Sequence, residues 1–264
     1  MRAVSVHPDA LVLTSRMWQT TATALRVPSG AQAGDEALLI DSPYFPDELE
    51  ILPGLVRQAG FDIRGLLATH ADFDHLLGRL AFSELPLGVG EPTMLRLRAE
   101  PGAAQRALRD QDEELYVERP APLGLGQVQS LPVPGKLELG PAELELHASA
   151  GHTADGTAIY AQRSEVLVCG DYLSDVEIPT LGEGGSLDSY RTTLAGLAPL
   201  LERAQVTVPG HGSPQERDDA LGILDEDLAY LDALERGEER PALPAGRDGG
   251  RQRELHAGNL ATLA

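Results

Sequence analysis

The chain has 264 residues, with 41 acidic against 21 basic side chains and a formal net charge of -20. That surplus repels phosphate backbones and anionic membrane surfaces, so neither nucleic acid nor a membrane is an expected partner. A lone cysteine, Cys169, excludes an internal disulfide, and no apolar run is long enough to span a bilayer. The first nine residues lack the charged-then-apolar pattern of a secretory signal, which makes the cytoplasm the expected compartment. The length fits one large α/β domain over 1–264.

In chain order, residues 10–15, 23–27 and 37–40 read as short strands, with a Gly- and Pro-containing hairpin-type connection at 28–35. Leu49, Leu52 and Val56 recur at helical spacing between Pro46 and Gly60, and Pro53 is expected to interrupt or kink that helix. Residues 63–69 form an apolar strand that delivers the chain to a polar loop, His70-Ala71-Asp72-Phe73-Asp74-His75, with a helix start at 76–82 and a strand or turn at 85–90. Residues 92–118, rich in mixed charge and broken at Pro101-Gly102, read as a helical insertion of one or two surface helices: a lid or substrate wall, or simply a solvated face.

The period returns to two at 128–133, 136–139, 142–147, 157–161 and 166–168, with a Gly140-Pro141 turn. Ser186 precedes a stripe of Leu187, Tyr190, Leu194, Leu197 and Leu201, the spacing of a capped helix with one apolar face. Residues 206–208 form a strand running into Pro209-Gly210-His211. Leu221, Leu224, Leu228, Leu231 and Leu234 then mark one face of a helix over 215–236. A loop-rich extension occupies 237–264, with a mobile loop expected at 247–250 and a short helix at 256–263.

Two imidazoles and two carboxylates within six residues, directly after an apolar strand, point to a cation, which offsets repulsion between adjacent carboxylates. Three later segments repeat the pattern of a ligand type at a strand end: His152 in a glycine-bounded turn, Asp171 after 166–170, and His211 after 206–208. Strand-end loops gather at one edge of stacked sheets, so these residues are candidates for a shared site. Among smaller expectations, Tyr172 either enters the groove or belongs to the core, and Cys169 lies buried beneath the site. His147 reads as structural and His7 as exposed. His256 and Asn259 share a helical face that is either near the site or only surface.

This ordered set resembles the metallo-β-lactamase superfamily. His70, Asp74 and His75 match its H-x-H-x-D-H motif; His152, Asp171 and His211 match the later ligands, and Ile40-Asp41 matches an upstream Ile-Asp. The resemblance implies an αββα four-layer sandwich, with two mixed sheets face to face and helices outside. It also implies one or two divalent metal ions, zinc first, in a groove along one edge. Asp72 stands where the family usually has a second His, Leu77 replaces a common Gly, and Ser42-Pro43 replaces the usual Thr-Gly.

A first site of His70, Asp72 and His152 and a second of Asp74, His75 and His211, bridged by Asp171, follow from the resemblance. Asp72 is a harder donor than imidazole and opens iron or manganese as alternatives; the flavodiiron branch uses a Glu in a related swap. The implied activity is a metallohydrolase in which Asp74 orients a metal-bound hydroxide onto a small-molecule ester, thioester, lactone or phosphoester. An iron-dependent oxidoreductase, flavodiiron-like or mononuclear, and a degenerate metal-binding protein are the other readings. A homodimer is the expected assembly.

Overall fold

A computed structural model describes residues 1–27, 36–139 and 142–263, without the side chains of residues 139 and 142. The connections expected at 28–35 and 140–141 lie outside the described residues.

The first sheet comprises β1 (Arg2–His7), β2 (Ala10–Thr14), β3 (Thr21–Arg26), β4 (Glu36–Asp41), β5 (Asp62–Ala68), β6 (Leu87–Gly90) and β7 (Val128–Leu131), adjacent in that order. β1 through β4 pair antiparallel, and β4 through β7 pair parallel. β1 is not evident in the sequence: its side chains are largely exposed, so the apolar periodicity that marks a strand is weak there. The second sheet contains β8 (Gly135–Leu139), β9 (Ala142–Ala148), β10 (Thr157–Ala161), β11 (Val166–Val168), β12 (Val206–Val208) and β13 (Gln215–Glu216). Its spatial order is β13-β12-β11-β10-β9-β8, with β11 and β12 parallel and the other pairs antiparallel.

Three apolar clusters define four layers. In β4, Ala37 and Leu39 face one way, towards Leu49, Leu52 and Val56 of α1 (Pro46–Gln58). Leu38 and Ile40 face the other, where they meet Leu144 and Leu146 of β9 and Val166 and Val168 of β11. The two-residue period thus buries both faces of a central strand. Beyond the second sheet, Ala158, Tyr160 and Leu167 pack under α5 (Leu187–Leu201) and α6 (Arg217–Glu235). Each fully buried leucine contributes roughly 1.5–3 kcal/mol relative to exposure. Two helix-carrying sheets that each need both faces covered reach that state by stacking.

The helical stripes are buried as expected. Tyr190, Leu194, Leu197 and Leu201 are buried in α5, and Leu224, Leu231 and Leu234 in α6. Ser186 Oγ accepts the Ser189 N–H at 3.2 Å, capping α5. α1 runs unbroken through Pro53. Only one intrahelical hydrogen bond is forfeited there, and burial of Leu49, Leu52 and Val56 on either side holds the helix. The expected helix at 76–82 is instead a 3-10 turn over Phe73–His75 followed by α2 (Gly78–Ala81). Residues 92–118 contain α3 (Glu91–Ala99) and α4 (Ala103–Leu115), separated at Glu100-Pro101-Gly102.

The C-terminal segment differs most from expectation. The last helix, α7, spans Gly250–Leu263, and Arg247 is buried rather than part of a mobile loop. Its Nη1 donates to Asp227 Oδ1 at 2.5 Å and its Nη2 to Glu226 at 2.7 Å. Desolvation makes an unpaired carboxylate at Asp227 costly, and the guanidinium anchors the loop by relieving it. Burial lifts the Asp227 carboxyl to about 7 even beside Arg247. Arg247→Met is therefore expected to cost about 3–5 kcal/mol of unfolding free energy at neutral pH. Because Arg247 holds the Asp227 value down, the folded variant binds that proton still more tightly than the folded wild type does, and the deficit should shrink as pH falls from 8 to 5. Urea denaturation of both proteins across this range measures it, and a deficit that grows on acidification contradicts the assignment.

Candidate metal centre

Four strand ends converge at one edge of the stacked sheets. β5 delivers Thr69 and His70, the β9–β10 connection carries His152, β11 is followed by Asp171, and β12 by His211. Hydrogen bonds between the sheets lock this edge: Thr157 N donates to Thr69 O at 2.8 Å, and Thr21 N to Gly210 O at 2.8 Å. Gly210 has no substitute here. A Cβ would overlap the Asp171 carboxylate and press on the His75 ring.

The side chains form two groups whose ligand atoms lie within 4.8 Å of one another: His70, His152 and Asp171, and Asp74, His75 and His211. Asp171 spans both. Its Oδ2 lies 3.3 Å from His152 Nε2 and 3.3 Å from His211 Nε2, and its Oδ1 is 3.2 Å from His75 Nε2. Asp74 Oδ2 is 3.4 Å from His211 Nε2. Asp72 stands beside the first group with Oδ2 at 3.5 Å from His70 Nε2 and 3.6 Å from His152 Nε2. Its other oxygen, Oδ1, is held by Arg96 Nη1 at 2.8 Å.

Each imidazole is oriented by a partner at Nδ1. His75 Nδ1 lies 3.0 Å from Asp41 Oδ2, His152 Nδ1 3.1 Å from Thr180 O, and His211 Nδ1 3.2 Å from Trp18 O. Thr69 Oγ1 donates to Asp41 Oδ2 at 2.9 Å, so its lone pair is free to accept from His70 Nδ1 at 3.1 Å. These acceptors assign the proton to Nδ1 and leave Nε2 as the electron-pair donor in every ring. Among the described residues, Nε2 of His70, His75 and His152 and Oδ1 of Asp171 are buried without a hydrogen-bond partner. Orphaned donor atoms of this kind, converging from separate elements, fit a divalent cation.

The electrostatics agree. With no cation present, a second proton takes its place on Nε2: burial opposes the charged forms of His152 and His211, yet the neighbouring carboxylates prevail and raise them to about 9 and about 10, with Asp72 and Asp171 foremost. Asp171 is held well below the usual carboxylate range despite burial, by His211, His75 and His70. A protein that gathers this much negative charge out of water needs positive charge at the same place.

All seven ligand candidates from the sequence lie at this edge: His70, Asp72, Asp74, His75, His152, Asp171 and His211. Tyr172 is buried; its hydroxyl accepts the His152 N–H at 2.9 Å and donates to Ser149 O at 2.9 Å, bracing the His152 loop. Cys169 is buried beneath the site, where burial pushes its thiol up. His147 pairs with Glu145, and His7, half-buried, accepts the Asp9 N–H.

His256 and Asn259 are neither surface residues nor among the gathered ligands. Asn259 Oδ1 accepts Leu181 N at 2.8 Å and its Nδ2 donates to Pro179 O at 2.7 Å, clamping both sides of Thr180, which orients His152. His256 bonds Tyr230 and Glu238 O. Sequence reasoning misses Arg96, Asp155, Thr69 and Trp18 as supports. Asp155, in the same turn as His152, is the one with a local signal: its Oδ2 accepts Ala71 N at 2.9 Å and its Oδ1 accepts from Arg96 at 2.8 Å.

The family model for the metallo-beta-lactamase superfamily matches residues 18–211. The chain belongs to that superfamily. Solved structures share the fold at low identity. One is a metallo-beta-lactamase from Pontibacter korlensis, 19% identical over 88% of this chain and 98% of that one, with TM-score 0.64. Another is a metallo-beta-lactamase family protein from Thermus thermophilus, 20% identical over 98% of this chain and 93% of that one, with TM-score 0.67. A sec-alkylsulfatase from Pseudomonas sp. is 15% identical, with TM-score 0.69; the match covers 98% of this chain and 49% of the sulfatase. No curated protein matches the sequence. No helix among the described residues is long and apolar enough to cross a membrane.

Proposed function

We propose that this protein is a metal-dependent hydrolase of a small-molecule ester, thioester, lactone or phosphoester. The observation that carries the reading is the pair of ligand groups, both faced by Asp171, beside a cleft of about 290 Å³ that Asp72 and Asp74 line. His70, His152 and Asp171, with Asp72 beside them, would hold one ion, and Asp74, His75, His211 and Asp171 a second. Bound divalent cations supply Lewis acidity and lower the pKa of water, with zinc the first candidate. Asp74 faces the cleft, and we assign it the orientation of the attacking water and the acceptance of its proton. Trp18 and Phe73 form an apolar wall that limits bulk water at that point. The test is a screen of thioester, lactone, aryl ester and phosphodiester substrates with zinc, manganese and iron supplied separately; no turnover above the metal-free control with any of them removes the reading.

One observation favours an iron-dependent oxidoreductase as the second reading: a carboxylate, Asp72, lies 3.5 Å and 3.6 Å from the imidazoles of the first group. Stoichiometric iron after purification without added metal, with oxygen uptake and no hydrolysis, would select it. Asp72→His replaces an oxygen donor shared with Arg96 by a nitrogen donor preferred by zinc, and is expected to raise zinc occupancy of the first group. Metal analysis at limiting zinc measures this. Unchanged occupancy removes Asp72 from the ligand set.

A further inference from the structure

The cleft beside Asp74 carries information about what enters it. One wall is Trp18 and Phe73; the opposite wall, from α3 and α4, offers Leu97, Ala104 and Ala107. The space, about 290 Å³, suits a short apolar group. Arg96 is the one cationic side chain among the described residues lining it, and its charge is already committed. Its Nη1 lies 2.8 Å from both Asp72 Oδ1 and Asp155 Oδ1; its Nε is 3.6 Å from Glu100 and its Nη2 3.9 Å from Glu183. Glu100 and Glu183 also line the cleft, and Glu183 is 67% exposed, so its carboxylate meets an incoming group in water. The carboxylates around Arg96 outnumber that cation, so away from the ions held beside Asp72 and Asp74 the described side chains lining the cleft present net negative charge to an incoming group.

We propose that the substrate is an uncharged acyl ester whose short apolar acyl chain seats against Leu97, Ala104 and Phe73, and that Glu100 and Glu183 determine specificity by rejecting anionic substrates. The inference rests on the hydrolase reading and narrows it. In the reaction, the oxygen of water bonds to the acyl carbon and the carbon–oxygen bond to the leaving alcohol breaks. The alcohol departs with one of the water's protons, and the acid leaves as a carboxylate with release of the other. The product is thus an anion, and the same two glutamates favour its departure.

The comparison that tests this is 4-nitrophenyl butyrate against 4-nitrophenyl hemisuccinate, which present the same ester with and without a terminal carboxylate, alongside 4-nitrophenyl phosphate and 4-nitrophenyl sulfate. For the metal-loaded wild-type protein, kcat/KM is expected to be at least about tenfold lower for hemisuccinate than for butyrate, and the monoesters of phosphate and sulfate to be poorer still. In a Glu100→Gln, Glu183→Gln double variant the gap should close to within about threefold. A readout without turnover comes from Trp18, the chain's single tryptophan and part of the cleft wall. In metal-free protein its fluorescence should respond to butyranilide at lower concentration than to succinanilic acid, with the difference lost in the double variant. Equal or preferred use of hemisuccinate, sulfate or phosphate by the wild type overturns the inference and leaves the hydrolase reading standing. Turnover of no ester with any metal removes both.

Discussion

Replacing Asp171 with Ala is expected to weaken metal binding more than about 100-fold and to abolish activity, because it removes a carboxylate that faces imidazoles of both ligand groups. Its two oxygens lie between 3.2 Å and 3.8 Å from the Nε2 atoms of His70, His75, His152 and His211. Losing a support outside the coordination shell typically costs about 10–100-fold in affinity, so losing the shared oxygen pair must exceed that range. Asp171→Asn keeps the shape and removes the charge, and separates the two contributions: it should retain the fold and still lose most of the affinity. Isothermal titration with zinc and metal analysis after dialysis measure both variants, with far-ultraviolet circular dichroism as the check on folding. Wild-type stoichiometry and affinity in Asp171→Asn would sink the bridging assignment.

The second large effect is expected at Asp41, which never faces the cleft. Its carboxylate accepts Thr69 N at 2.9 Å and Thr69 Oγ1 at 2.9 Å, and lies 3.0 Å from His75 Nδ1, all buried. Its backbone sits in the left-handed region at φ 58°, where Asp and Asn are tolerated better than Ala. Asp41→Ala therefore orphans buried donors and adds backbone strain, and about 2–4 kcal/mol of stability should be lost in the metal-free protein. Asp41→Asn suits the backbone and still accepts from Thr69 N, but its amide group repels the Nδ1–H of His75. It should recover much of the stability while metal affinity stays about 10–100-fold low. Thermal unfolding without metal and metal titration separate the two effects, and an Asn variant that binds metal as the wild type does would show that Asp41 supports the fold alone.

Arg96 shows why part of the site was not legible. In sequence it is one of several arginines among acids on a mixed-charge stretch, a pattern that solvated helices share. Its role depends on Asp155, 59 residues away, and on Asp72, which α3 reaches only because it packs against β6 and β7. Asn259 is a similar case: it meets Leu181 across 78 residues, and nothing local distinguishes it from a surface amide. Arg247, in a Gly-rich stretch that reads as mobile, is fixed by two carboxylates of α6.

The ligand residues were legible for the opposite reason. His70, Asp74 and His75 adjoin a strand in the sequence itself, and His152, Asp171 and His211 each follow or separate β-type segments, so covalent connection places every one of them at a strand end. The two-residue and helical periods likewise follow from backbone geometry, which assigns faces before any partner is present. What the sequence determined by itself was therefore the faces of its elements, the strand ends and the donor types carried on them, while the four layers were what the family resemblance implied. Only the tertiary structure decided that Asp72 divides its carboxylate between Arg96 and the first histidine pair, that Asp41 and Thr180 fix the rings, and that Glu100 and Glu183 meet at the cleft. Those outcomes depend on through-space distances between charges far apart in the chain, and Coulomb and hydrogen-bond energies are set by that distance rather than by order in sequence.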